Sequence, residues 1–425
     1  MEHVALMFVD LVVMGLGHVG LPLAHRASQA GLRTVGLDVS EQVVAGVRGG
    51  RSPVGGVADQ DVAAMLGAGF TATTDPAVIS TAQTVVICVP TGLAPDGTPD
   101  LSSVEAATRA VASRLRVGML VVLESTSYPG TTQDVVRPLL ESGSGLRAGD
   151  DFHLAYSPQR IDPGNPVWNV GNTPKIVSGC TELCAKYATA FYRQFVDDLV
   201  IARGTQEAEM AKLLENTYRY VNIALVNEVA LFCHESGIDT WDVLHCAATK
   251  PFGFAPFTPG PGVGGHCIPV DPRYLAARAA SQGFPFRMLA AAHEVLGRMP
   301  GHVAGRALRL LTEVRGDPRG ARVLLLGVAY KPGVADVRES PARPVAEALC
   351  AAGAEVGYHD PYVDTFTVGG RPLPRATDLP AALDASDLAI LLQEHPCYDM
   401  NALSRARCAL LDTRGKVAGS RVTLL

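Results

Sequence analysis

Hydrophobic and polar positions along the chain fall into three regimes. Up to about residue 200, short runs rich in β-branched residues (10–14, 33–37, 84–88 and 120–123) alternate with stretches of helical spacing such as 21–30 and 103–115. Apolar runs of this length read as buried parallel strands. Their alternation with helices predicts a sheet covered on both faces. From residue 201 the pattern changes. Residues 205–236 form one helical run with no Pro or Gly inside it, and Gly237 stands where a helix ends. Residues 251–272 are dense in Gly and Pro and predict a loop, after which helical character continues to about residue 315. Strand and helix then alternate again, with strands at 322–326, 355–358, 388–392 and 409–411 and a helix at 341–352. The prediction is an α/β domain over 1–200, a helical central domain with one long helix over 201–315, and a second α/β domain over 316–425.

Composition narrows the class. A chain of 425 residues with 48% hydrophobic and 18% charged positions buries sizeable cores and does not read as disordered. A formal net charge of -6 without a Lys/Arg-rich run argues against nucleic acid as a partner. The apolar stretch 6–16 is broken by Asp10, is too short to span a bilayer, and lacks a basic leader, so neither a membrane anchor nor a signal peptide is expected. Nine cysteines, an odd number without paired spacing, point away from disulfides and zinc and towards a reducing cytoplasm with no metal centre.

Two motifs carry candidate chemistry. Gly15-Leu-Gly-His-Val-Gly20 follows a predicted strand and opens a predicted helix. In that context Gly15 permits the tight turn, Gly17 leaves room for a pyrophosphate, and Gly20 lets helix and strand pack closely. Asp38 ends the second strand about 20 residues on, where a carboxylate binds ribose hydroxyls and repels a 2′-phosphate. Together they predict a Rossmann-like, doubly wound domain that binds NAD in preference to NADP. The second motif is Gly262-Val-Gly-Gly-His-Cys-Ile-Pro-Val-Asp-Pro272. Its glycines keep bulk from Cys267 and let a ligand approach the backbone, while Asp271 follows four residues later. A nucleophilic cysteine fits this setting better than a packing cysteine, although both remain open on local grounds.

With these motifs the sequence resembles the UDP-glucose/GDP-mannose dehydrogenase family of nucleotide-sugar 6-dehydrogenases. The likeness runs through Gly15–Leu23, Cys88-Val-Pro-Thr91, Glu124-Ser-Thr-Ser-Tyr-Pro-Gly-Thr-Thr132, the 208–219 stretch of the long helix, Asn227-Glu228, Gly327-Val-Ala-Tyr-Lys-Pro332 and Arg338-Glu-Ser-Pro341. Residues 249–262 look most like the branch acting on UDP-N-acetylhexosamines. The resemblance implies two Rossmann-like domains joined by the helical centre, with NAD at the first and the sugar nucleotide at the last, while the length of the central helix itself points to a homodimer. It implies two successive oxidations at C6 of a UDP-sugar, with Cys267 holding the aldehyde as a thiohemiacetal and then the acid as a thioester.

The resemblance also assigns roles. Lys212 and Asn216, four apart on one helix face, stabilise oxygen charge and contact substrate. Asp271 orients Lys212 and a water, and Thr126 holds that water. His18, Val19, Pro90, Thr91, Ser125 and Thr126 contact NAD, with Arg338 on the cofactor side. Arg160, Phe257, Gly264 and Lys331 contact the sugar nucleotide.

One position departs from this pattern. The family carries a glutamate after the proline of its Ser-Pro or Asn-Pro pair, whereas this chain reads Tyr156-Ser-Pro-Gln159. An amide can hold water but cannot accept a proton near neutral pH. Either another carboxylate, Asp162 or Asp271, takes the role, or thioester hydrolysis is slow, or the reaction stops at the aldehyde. Full oxidation ranks first because Cys267, Lys212, Asn216 and Asp271 are all present. A second departure, Leu296 where relatives often have asparagine, reads as repacking. A sugar-nucleotide-binding protein with reduced turnover is the runner-up class. A 2-hydroxy-acid or 6-phosphogluconate-type dehydrogenase would need neither Cys267 in its loop nor a second α/β domain.

Overall fold

The structure, a computed structural model, describes residues 8–162, 165 and 167–425. It has two compact units. The first comprises residues up to Glu215 together with Arg273–Phe284, and the second comprises Asn216–Pro272 and Pro285–Leu425. The long helix, Thr205–Ser236, begins in one unit and ends in the other.

In the first unit eight strands form one sheet: β1 (Val9–Met14), β2 (Thr34–Leu37), β3 (Thr71–Thr73), β4 (Ala82–Ile87), β5 (Leu120–Leu123), β6 (His153–Tyr156), β7 (Lys175–Gly179) and β8 (Leu199–Ile201). Their order is β8-β7-β6-β5-β4-β1-β2-β3, parallel except between β6 and β7. Alternate residues feed opposite cores. Leu11, Val13, Val86 and Val122 pack on one face, while Val12, Met14, Val85 and Val121 pack on the other. Both faces are covered, which is why the central strands carry consecutive apolar residues such as Leu11–Met14, Val85–Ile87 and Leu120–Leu123. Each fully buried Val or Leu contributes about 1.5–3 kcal/mol.

The second unit holds a five-stranded parallel sheet of β9 (Arg322–Leu326), β10 (Glu355–His359), β11 (Leu388–Leu391), β12 (Ala409–Asp412) and β13 (Val422–Leu424), ordered β10-β9-β11-β12-β13. Val323 and Leu325 enter one core and Leu324 and Leu326 the other. The helical stretch expected to continue to about 315 splits into Asp271–Ser281 and Arg287–Arg315. Gly283, at φ 74°, and Pro285 break it between the two.

The two sheets repeat one local design at their central strands. Gly15 N donates to Leu37 O at 2.8 Å, and Gly327 N donates to His359 O at 2.9 Å. A Cβ on either glycine would stand 2.6 Å from a carbonyl oxygen, that of Cys88 in the first unit and of Gln393 in the second. Both glycines have positive φ, 93° and 76°. Each therefore turns the chain sharply where it leaves the sheet, at the carboxyl end where ligands of such sheets bind.

Candidate active site

The first-unit turn fits a dinucleotide phosphate. A Cβ on Gly20 would lie 1.8 Å from Gly15 O, so the helix Gly20–Gln29 packs tightly on the turn. Nothing lies within 4 Å of a Cβ built on Gly17, so open space faces the backbone there. His18 is exposed and Val19 half-buried at the helix start, where free N–H groups favour an anion. Asp38 follows β2. Its Oδ2 accepts from Leu16 N at 2.8 Å and its Oδ1 from Ser40 N at 2.9 Å, which leaves acceptor capacity on both oxygens. Pro90 is exposed and Thr91 buried on the loop after β4, and Ser125 Oγ donates to Val89 O at 2.8 Å to join that loop to the next. Asp38→Ala should weaken NAD binding roughly tenfold and narrow the preference over NADP. Titrating both cofactors by fluorescence checks this, and tighter binding of NADP than NAD by the native protein would refute it.

Under the Ser125–Thr132 loop lie buried charges. Glu124 Oε1 accepts from Lys175 Nζ at 2.9 Å and from Tyr192 Oη at 2.5 Å. Glu209, on the long helix, takes Gly130 N at 2.6 Å, Thr132 N at 2.8 Å and Thr132 Oγ1 at 2.6 Å. It thereby ties the loop bearing half-buried Thr126 to the helix turn that precedes Lys212. Burial pushes the Glu209 carboxyl up to about 7 from 4.5, against the pull of the Thr132 and Gly130 bonds. The folded state therefore holds a proton that the unfolded chain has lost between pH 4.5 and about 7. Stability from this group is full below the lower value and lost as pH rises through the upper one. Over that window native protein should lose ~3 kcal/mol relative to Glu209→Gln, which cannot ionise. Urea melts at several pH values measure it, and a pH-independent gap contradicts it.

The second unit gathers three of the predicted catalytic residues. Asp271, buried, opens the helix Asp271–Ser281. Its N–H donates to Cys267 O at 2.9 Å, closing one turn, and its Oδ2 accepts from Asn216 Nδ2 at 2.5 Å. Cys267 itself is exposed. Lys212 is buried one turn before Asn216 on the long helix. Arg338 donates to Asp336, Nη2 to Oδ2 at 2.6 Å, and its pKa is raised by that bond and, to a smaller degree, by Cys267 nearby. Gly265 N donates to Arg338 O at 2.9 Å. Lys331 is half-buried, and Phe257 meets the Tyr218 ring edge-on at 5.8 Å. In the first unit, Gln159 Oε1 accepts from Arg160 N at 2.6 Å and Ile161 N at 3.0 Å, while Arg160 pairs with Glu215 at 2.8 Å.

Comparison with known proteins settles the family. Residues 9–196 match the NAD binding domain of the UDP-glucose/GDP-mannose dehydrogenase family, 206–296 its central domain, and 324–418 its UDP binding domain. The chain belongs to this family. A UDP-N-acetyl-D-mannosamine dehydrogenase of Pyrococcus horikoshii is 36% identical over 390 residues, covering 91% of this chain and 89% of that one. A UDP-N-acetyl-D-glucosamine 6-dehydrogenase of Pseudomonas aeruginosa is 36% identical over 363 residues, covering 84% and 83%. Among solved structures, the UDP-D-ManNAc dehydrogenase of P. horikoshii superposes with a TM-score of 0.88 at 32% identity, covering 98% of each chain. A UDP-glucose dehydrogenase from Pyrobaculum islandicum gives 0.88 at 28% identity, covering 100% and 98%. The protein is thus an NAD-dependent dehydrogenase acting on a UDP-sugar.

Several side chains of this dehydrogenase escape sequence reasoning. Arg414, after β12, lies against the Pro259-Gly-Pro loop, where a Cβ on Gly260 would stand 2.8 Å from its Nη1. Arg414 is half-buried, and burial lowers its pKa. Tyr274 Oη donates to Gly92 O at 2.5 Å, fastening the loop of Thr91. Two of the glycines before Cys267 also make room for a neighbouring side chain. A Cβ on Gly264 or Gly265 would stand 2.7 or 2.6 Å from the Tyr330 side chain. At Gly265 the nearest atoms belong to the Tyr330 ring, and at Gly264 to the Tyr330 Cβ and the Glu339 carbonyl.

Proposed function

We propose that this dehydrogenase oxidises the C6 alcohol of a UDP-N-acetylhexosamine to the uronic acid through a covalent adduct on Cys267. The supporting observation is the cluster in which exposed Cys267 is linked through its own carbonyl to Asp271 and so to Asn216. Gly15, Gly17, Gly20 and Asp38 would hold NAD, with His18, Val19, Pro90, Thr91, Ser125 and Thr126 around it. When bound, NAD supplies the hydride acceptor, one molecule for each oxidation.

The Cys267 thiolate adds to the C6 aldehyde and forms a C–S bond, and the resulting oxygen charge falls to Asn216 and Lys212. Loss of a second hydride leaves a thioester, and water then cleaves the C–S bond to give the acid and the free thiol. Asp271 orients the amide of Asn216, Thr126 holds the water, and Lys331, Arg160, Phe257, Gly264 and Arg414 bind the sugar nucleotide. Residues 1–200, 201–315 and 316–425 then serve as the NAD-binding, central and UDP-binding parts.

The assembly in this reading is a homodimer packed on the long helix. Tyr218, Leu225 and Phe232, seven residues apart, are 50, 55 and 63% exposed along it. No described helix is long and apolar enough to cross a membrane, and nine cysteines outside any disulfide suit a reducing cytoplasm. Offering UDP-GlcNAc, UDP-ManNAc and UDP-glucose with NAD, and following NADH absorbance, tests the substrate. Faster turnover of UDP-glucose would overturn the N-acetylhexosamine assignment. A second reading, arrest at the aldehyde or acyl stage, is favoured by Gln159, whose oxygen is committed to its own backbone.

A further inference from the structure

The second sheet reuses the position of Asp38 for a different purpose. Asp360 follows β10 as Asp38 follows β2, and each accepts from the backbone just after the turning glycine: Leu16 N on Asp38, Val328 N and Ala329 N on Asp360. Asp38 takes two donors and keeps room for a ribose. Asp360 takes five: Val328 N, Ala329 N and His395 Nε2 on Oδ2, and Tyr362 N and Val363 N on Oδ1. Its side chain and that of His395 are wholly buried. The ring of His395 thus stands where a ribose hydroxyl would bond at the first sheet.

The other nitrogen of this ring has a defined partner. Gly333 N, only a donor, lies 3.1 Å from His395 Nδ1. Nδ1 is therefore the acceptor, and the proton sits on Nε2, facing Asp360. Gln393, two residues earlier, donates from Nε2 to Tyr330 O at 2.8 Å. Residues 393 and 395 so grip both ends of the Tyr330-Lys-Pro-Gly333 segment. The Tyr330 side chain in turn underlies Gly264, through its Cβ, and Gly265, through its ring, just ahead of Cys267. Glu339, whose carbonyl would meet a Cβ on Gly264 at 2.9 Å, has φ 50°, the one positive value outside glycine among the described residues. Backbone strain of this kind persists where the surroundings hold it.

We propose that His395 is a positioning residue: through Nδ1 it fixes the Lys331 segment for UDP, and through Tyr330 it sets the floor of the Cys267 loop. The role of Lys331 and Cys267 in this statement rests on the function proposed above. Asparagine places an oxygen where Nδ1 sits, and glutamine places an N–H where Nε2 sits. His395→Asn thus keeps the bond to Gly333, and His395→Gln keeps only the bond to Asp360.

The full-length protein is the test, with UDP affinity read by calorimetry, the rate of Cys267 alkylation by iodoacetamide read by mass spectrometry, and NAD affinity as the internal control. His395→Gln should weaken UDP binding roughly tenfold and change the alkylation rate severalfold. His395→Asn should stay near native on both, and NAD affinity should hold within about twofold in each, since a local loop is released and the fold is not. Should the Gln variant not fold, Gln393→Met, which removes the bond to Tyr330 O together with the local one from Glu394 N, carries the same expectation. Native UDP affinity and alkylation in the folded variant, equal losses in the Asn and Gln variants, or a parallel fall in NAD affinity each overturn the proposal. Native protein that binds UDP but oxidises no UDP-sugar would count against the proposed function alone, because neither binding nor alkylation requires turnover.

Discussion

Cys267→Ser should lower the rate of uronic acid formation by ~10³-fold or more while leaving NAD affinity and melting temperature near native. Cys267 is exposed, so exchanging sulfur for oxygen removes little packing. The chemistry changes far more. A thiol gives up its proton far more readily than a serine hydroxyl and is the stronger nucleophile once it has done so. The first oxidation needs no covalent bond to the protein, so a small yield of aldehyde, with one NADH per sugar, is expected to survive. The second needs a tetrahedral carbon from which hydride can leave, and without the thiohemiacetal only hydrated aldehyde supplies one. Mass spectrometry adds a direct readout: the native protein should carry a sugar-nucleotide adduct on the peptide spanning Cys267, and the Ser variant none. Acid production at the native rate by the variant would end the assignment.

Much of the fold is legible in the sequence because its signals are local. β1, β4, β5 and β9 each carry a run of three or more consecutive apolar residues, Val85–Ile87 in β4, since both sheet faces are covered, and the predicted run 205–236 coincides with Thr205–Ser236 because nothing inside it breaks a helix. Asp38 is legible because the motif fixes its spacing from Gly15. What stays hidden depends on partners far away in the chain. Glu209 meets Gly130 across 79 positions, and Glu124 meets Lys175 across β5, β6 and β7. His395 acquires meaning only beside Asp360 and Gly333, and Arg414 only beside Gly260. The glycines ahead of Cys267 are visible, but sequence spacing cannot show that the Tyr330 side chain lies against Gly264 and Gly265. Asp360 had an available signal, an acid ending the second strand after a turning glycine, obscured by a spacing longer than that from Gly15 to Asp38.

Gln159→Glu should speed release of the acid ~10²-fold, the lower end of what a positioned general base contributes, with NAD affinity unchanged. Gln159 follows Ser157 and Pro158 at the end of β6, and its Oε1 is already bonded to Arg160 N and Ile161 N. A glutamate in the same rotamer would make those two bonds with one oxygen and keep the other free. Donors of this kind favour the ionised form, so the carboxylate would be charged and able to take a proton from water. The native amide has nothing equivalent: once its oxygen is spent on the backbone, its NH₂ group can only donate. Native protein is therefore expected to stall, and two measurements locate the stall. If hydrolysis is slow, both hydrides leave rapidly and the acyl group persists on Cys267, visible as an adduct by intact mass after brief mixing. If the aldehyde escapes first, NADH yield approaches one per sugar and a hydroxylamine trap captures the product. In the Glu variant the adduct should clear or the yield should rise to two. Two NADH per sugar from native protein with no lingering adduct, and no gain in the variant, would show that another group already serves as base, with Asp271 and Asp162 the first to substitute.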